Sequence, residues 1–185
     1  MPIQRATPQA NVVVPAHHNF LGWLCDPVNV SGTTTPGAGT LQLARILIPQ
    51  TIVVNTITLS ISIAPTTCTS GQNFVGIYDQ SGTRLGVSVD QSTAWATNGQ
   101  KACAMASATT VPGGLDVFVW VAFLWNGTGS ITLHRPTIIS NIASIGLTGA
   151  TMRMGTILTG QTSLPSSITP ASITNSTNVP WIGIS

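Results

Sequence analysis

The side chains able to do chemistry are few. The chain has three histidines (His17, His18, His134), three cysteines (Cys25, Cys68, Cys103), four aspartates (Asp26, Asp79, Asp90, Asp116) and no glutamate. Nucleophilic catalysis needs a nucleophile beside a base, and a third group that orients the base. No GxSxG pattern is present, and His17 and His18 lie near the chain start, where a triad is hard to support. As neighbours in an extended chain they point to opposite faces, which makes a poor metal pair. They read instead as interface or anchor residues. A glycosidase needs two positioned carboxylates. Asp79 and Asp116 adjoin strand ends and read as turn caps. Asp90 precedes Trp95 by five residues; its first reading is again a turn cap, and its second a ligand contact together with Trp95 and Asn98. The odd, widely spaced cysteines form neither a disulfide framework nor a CxxC pair. A Cys68–Cys103 bridge stays open, with buried free thiols preferred. No phosphate-binding loop, HExxH or EF-hand pattern occurs. No catalytic residue, metal or cofactor is expected.

The tryptophans divide by context. Trp23 and Trp120 lie in apolar runs and read as core, while Trp125 ends such a run. Trp95 sits in a polar loop, where plain packing, an interface and a stacked sugar all remain open. Trp181, close to the end of the chain, reads as a further interface or anchor residue.

Composition says what must position these groups. Charged residues make up 5% of the 185-residue chain, against roughly 25% in an average domain. Lys101 is the one lysine, whereas threonine numbers 27 and serine 17. Surface helices carry Glu, Lys, Gln and Arg on their wet faces; a Thr-rich surface favours strands. Six basic residues (Arg5, Arg45, Arg84, Lys101, Arg135, Arg153) are scattered and give a formal net charge of +2. Without a basic cluster no nucleic-acid surface is expected. So few charges repel other copies weakly, and the chain is expected to self-associate. Residues 117–125 form the longest apolar run, nine residues against the roughly 20 of a spanning helix, so no membrane insertion is expected. The opening MPIQRATPQANVVVPAHHNF lacks the charged and apolar regions of a signal peptide. Three Asn-x-Ser/Thr sequons therefore read as coincidences of a Ser/Thr-rich chain.

Along the chain, residues 1–19 contain Pro2, Pro8 and Pro15 and read as an extended N-terminal arm; residues 20–185 read as one domain. Residues 20–25 (FLGWLC) and 41–48 (LQLARILI) are strands, separated by a loop over 26–40. Ile57, Leu59, Ile61 and Ile63 alternate with Thr58, Ser60 and Ser62, the period of a half-buried strand. Residues 74–78 and 85–89 form a hairpin whose short loop contains Gly82. Residues 101–111 are a weaker strand. Residues 117–125 are apolar on both sides, as in a strand between two packed layers. Residues 136–150 hold one helical turn or a short strand, and 152–158 a strand. The C-terminal WIGIS packs back as a final strand. Many short strands with Pro and Gly turns predict an all-β fold: an antiparallel β-sandwich, jelly-roll-like.

FVGIYDQSGTRLGVSVDQSTAW, then VPGGLDVFVWVAFLWNGT and the ending LPSSITPASITNSTNVPWIGIS, resemble small β-rich virion proteins of tailed bacteriophages of actinobacteria, over about residues 50–185. One departure is the usual aromatic pair of the central strand, here Phe118 with Trp120. The resemblance implies a β-sandwich lobe, often a homotrimer, on a tail, fibre or head. Such proteins are labelled minor tail proteins or receptor-binding modules. It brings no catalytic residues. The implied role is a virion structural protein, tail- or fibre-associated, attaching to host-surface carbohydrate. The alternative is a capsid decoration or head-fibre subunit, anchored by its N-terminal arm and without receptor role. The partners implied are further copies and other virion proteins. The implied location is the virion, assembled in the host cytoplasm.

Overall fold

The alternating stretch lies in the strand that organises one sheet. In a computed structural model, residues 14–137 and 144–185 are described. The strands are β1 (Gly22–Trp23), β2 (Val30–Thr34), β3 (Leu41–Leu47), β4 (Ile52–Ile63), β5 (Thr67–Cys68), β6 (Phe74–Tyr78), β7 (Arg84–Val87), β8 (Gly99–Val111), β9 (Phe118–Leu124), β10 (Gly127–Thr128), β11 (Thr132–Pro136), β12 (Met154–Ile157), β13 (Thr174–Asn175) and β14 (Gly183–Ile184). Along one edge β4 pairs with β8 from Ile52 to Ile61. Its other edge is shared: β14 pairs at Ile57 and Thr58, and β11 at Ile61 and Ile63. β1 extends β14, and β2 extends β11. The second sheet runs β13-β12-β3-β9-β6-β7. All these pairings are antiparallel, and β5 with β10 makes a separate ribbon.

Side-chain parity explains the packing. Ile57, Leu59 and Ile61 of β4 point inward, as the period-two pattern requires. Ile63, the last of that series, is 58% exposed, because β4 ends there. A register shift between Val54 and Thr56 changes the inward set from even to odd numbers, so Val54 still faces the core. Opposite them, Ala44 and Ile46 of β3, Val75 and Ile77 of β6, and Val119, Val121 and Phe123 of β9 close the core. The fold is thus an all-β antiparallel sandwich.

The other face of β9 is apolar too. Trp120, Ala122 and Leu124 join Leu41, Leu43 and Tyr78 in a second core. Residues 158–173 cover it, driving Leu164, Ile168 and Ile173 onto the sheet. This strap is tied by backbone bonds from Arg84 N–H to the Ser166 carbonyl (2.9 Å) and from Ile168 N–H to the Gly82 carbonyl (2.8 Å). The Tyr78 hydroxyl donates to the Pro165 carbonyl at 2.8 Å, and the Arg84 guanidinium to that of Leu164. The chain then returns to the first sheet, where β14 inserts between β1 and β4, as expected for a C-terminus that packs back.

Some expectations need correction. Residues 15–18 of the expected extended arm are a 3-10 turn, closed by His17 N–H on the Val14 carbonyl and by a left-handed Asn19; proline at its first position presets that geometry. Residues 1–13 lie outside the described residues. The expected loop over 26–40 contains β2, whose Gly- and Thr-rich sequence hides a strand paired with β11. The weak strand over 101–111 is part of β8, at 13 residues the longest among the described residues. Over 136–150, Pro136 ends β11, and the described part includes the 3-10 turn Gly149–Thr151, inside a Thr148–Thr151 capping box, in keeping with the expected helical turn; residues 138–143 lie outside the described residues.

Gly82 is where the strap comes closest. Its φ is +91°, and a Cβ there would sit 2.2 Å from the Ile168 carbonyl oxygen. Gly82→Ala should cost about 2 kcal/mol or more in urea unfolding, with amide exchange accelerated over 158–173. Unaltered exchange there would show that the strap is held by other contacts.

Candidate functional site

Trp95 is not at the surface. It is fully buried in the 3-10 turn Ala94–Ala96, with its backbone N–H on the Gln91 carbonyl at 2.9 Å. Its ring stacks on Phe123 at 4.9 Å between centroids. The polar sequence around it hides that the turn drops the indole into the main core, so it does not stack on a sugar. Asp90 is a cap: its carboxylate accepts the Asn73 N–H at 3.2 Å and the Ser92 hydroxyl. Partial burial pushes that carboxyl up, but bonds from Ser92 and from the Gly71, Asn73 and Ser92 N–H groups outweigh it and hold it below its ordinary value. Asn98 accepts the Ala64 N–H at 2.6 Å. The structure thus places Trp95 in the core and engages Asp90 and the exposed Asn98 in hydrogen bonds to neighbouring loops. Asn73, which the sequence reading passes over, is the centre of this loop cluster: fully buried, it accepts the Asn126 N–H at 2.9 Å and donates to the Thr69 carbonyl at 2.6 Å.

Two of the three anchor candidates do meet. His18 and Trp181 line an open groove of about 360 Å³ with Phe20, Pro27, Val30, Ser60, Gln100 and His134. Its floor is the outer face of the first sheet. Ser60 of β4 and Gln100 of β8 are cross-strand partners, and the Ser60 hydroxyl is 3.0 Å from His134 Nδ1. Its wall comes from the chain ends. The Trp181 backbone N–H bonds the His134 carbonyl (2.9 Å) and its indole N–H the Cys25 carbonyl (2.8 Å). The Phe20 ring meets Trp181 edge-on at 5.6 Å, and the His18 ring meets Trp23 at 5.5 Å. Trp181 is 6% exposed, so it is a fixed wall and not a free anchor. His17 is exposed and does not line the groove. The wet-face pattern of Thr58, Ser60 and Ser62 was the one signal for this floor; nothing in the spacing joins it to His134.

The lining carries a hydroxyl, two imidazoles and a primary amide against hydrocarbon walls. It contains no Asp, Glu, Lys or Arg. Ser60 and His134 are two parts of a nucleophilic constellation, and no acidic lining residue orients the imidazole. The chemistry on offer is hydrogen bonding to an uncharged, partly apolar ligand. Among the described residues, no three His, Cys, Asp or Glu side chains come together as a metal site, and no helix is long and apolar enough to cross a membrane.

Cys25, Cys68 and Cys103 are all free thiols. Burial pushes Cys103 up from its ordinary value of 9.0 to about 11. Burial, then the nearby Asp26 charge, does the same for Cys25. A raised folded-state pKa means that the fold prefers the neutral thiol. That contribution is whole below about pH 9 and is lost as the pH rises towards about 11. Urea unfolding at pH 8, 9.5 and 11 should show falling stability, with a shallower fall in Cys103→Ala. An equal fall in that variant would remove Cys103 as a source. Trp95→Ala should cost about 3–5 kcal/mol in the same assay at pH 7; a cost under 1 kcal/mol would contradict its core role.

No protein-family model matches the chain, and no curated protein matches it.

Proposed function

We propose that the chain is a structural lobe on the surface of a bacteriophage virion, tail- or fibre-associated and without catalysis of its own. In this role it holds a neutral host-surface sugar in the groove formed by Ser60, Gln100, His134 and Phe20. The observation that carries this reading is the groove itself. An apolar wall faces an amide, an imidazole and a hydroxyl, and no lining residue is Asp, Glu, Lys or Arg. Sugar rings present one apolar face and a rim of hydroxyls, which such a lining matches.

The strand order supports the architectural part. β2-β11-β4-β8 packs on β3-β9-β6-β7, and apart from the β6–β7 hairpin the chain alternates between these two sets of strands, as in a jelly roll, an architecture of viral capsid and lectin domains. Architecture alone does not give function, so the groove bears the weight. The alternative, a shell decoration subunit anchored by its N-terminal arm, differs in location and in leaving the groove unused.

Two measurements test the proposal. Binding to oligosaccharides released from host cell wall should weaken about tenfold in Gln100→Ala and in His134→Ala, the loss expected for one hydrogen bond, with unfolding midpoints little changed. Equal binding by all three proteins would sink the sugar site. Immunogold labelling of intact particles should mark the tail; label confined to the capsid shell would replace the first reading with the alternative.

A further inference from the structure

The end of the sandwich formed by the β3–β4, β6–β7 and β8–β9 turns carries an apolar surface flanked by opposite charges. Leu115 is 95% exposed and Leu47 is 63% exposed, and both border an open cavity of about 460 Å³. A larger cavity of about 620 Å³ adjoins it through Leu47 and Pro49 and reaches the exposed Val14 and Leu21. The turns are well built: Gly114 N–H bonds the Ile48 carbonyl at 3.0 Å, Ile48 N–H the Val117 carbonyl at 2.8 Å, and the Gln80 amide the Asp116 carbonyl at 3.0 Å. Exposed leucine here is therefore a property of ordered backbone, not of fraying.

The charges are ordered across the same end. In the sequence β12-β3-β9-β6, Arg153 precedes β12 and Arg45 lies on β3, with the Arg45 N–H on the Arg153 carbonyl at 2.9 Å. Asp116 precedes β9, and Asp79 follows β6. Strands lie about 4.8 Å apart, so β12 and β6, the outer strands of this set, stand roughly 14 Å from each other across three strand spacings, while β3 and β9 between them are adjacent and bring Leu47 opposite Phe118. The Arg45 guanidinium lies over the Phe118 ring at 5.0 Å. Two of the four aspartates and two of the six basic residues of the whole chain are gathered here.

We infer that this end is a self-association surface whose occupant is a second copy of this chain, with Leu47 and Leu115 at the centre and the Arg45–Arg153 flank of each copy against the Asp79–Asp116 flank of the next. A patch with opposite charges on its two sides is complementary to itself. A two-fold pair and a head-to-tail ring both bring unlike flanks together, and charge order of this kind fixes orientation more than it adds affinity. The inference deepens the reading of the chain as an assembling subunit and rests on it in part. Its test is a mass in solution, independent of particle location and of sugar binding.

Sedimentation of the full chain between 1 and 100 μM should show a concentration-dependent oligomer. Leu115→Asp should raise the dissociation constant at least tenfold without lowering the unfolding midpoint, because the side chain touches little in the monomer. Ile63→Asp, at the opposite end of β4 and 58% exposed, should leave the mass unchanged. Arg153→Asp and Asp116→Lys should each weaken association, and an equimolar mixture of the two should recover part of it. A monomer throughout the range overturns self-association, while localisation on the particle would still stand or fall by its own measurement. An oligomer indifferent to Leu115→Asp overturns this surface. Loss of the oligomer only on deleting residues 1–13 assigns the contact to that segment and overturns the inference as well.

Discussion

The second sheet is apolar on both faces, and the rest of the structure follows from the need to cover it. A central strand such as β9 cannot show Trp120, Ala122 and Leu124 to water without exposing a large apolar area. The first sheet covers one face only. The chain meets the second demand with residues 158–173, rich in Ser, Thr and Pro, which bury Leu164, Ile168 and Ile173 on the sheet and are further held through their backbone. Because Leu164 lies against the β6–β7 hairpin, a Cβ on Gly76 would stand 2.6 Å from it. Glycine in that hairpin is the condition for a close-fitting cover.

Polar side chains here serve mainly the fold. With so few charges, loops are fixed by amides and hydroxyls: Asn73, Asn126, Asp90 and Asn98 tie together turns that are distant in sequence. A buried amide can satisfy both a donor and an acceptor of neighbouring backbone, which suits an end of the sandwich where several loops leave backbone groups unpaired. On the outer face of the first sheet, by contrast, Ser60 and Gln100 lie across one ladder pair at the floor of the groove.

How much of this was legible depends on the distance over which each feature is decided. β4 and β9 were readable because a strand's burial is written in its own alternation, and the two-sided apolar run of β9 announced a layer on each side. The return of the C-terminus was readable from Trp181 to Ile184, apolar residues with no reason to stay wet. Trp95 stayed open between packing, an interface and a sugar because the loop around it is largely polar, while its burial is decided by Phe123, 28 positions away by number. β2 was missed because its ladder partner, β11, lies about a hundred residues on. The groove was invisible for the same reason: Ser60 and His134 are separated by 74 positions, and the tryptophan that walls it comes from the last five residues.

The placement of β14 has a kinetic side. Among the described residues β1 pairs with β14 alone, and β14 lies between it and β4. During synthesis β1 therefore waits for β14 before this ladder can form. The loop to be closed is nearly the whole chain, an entropic cost met only once the sheets already bring its ends near each other. The wall of the groove is made where those two segments meet, so Phe20 and Trp181 face each other only when β14 is in place.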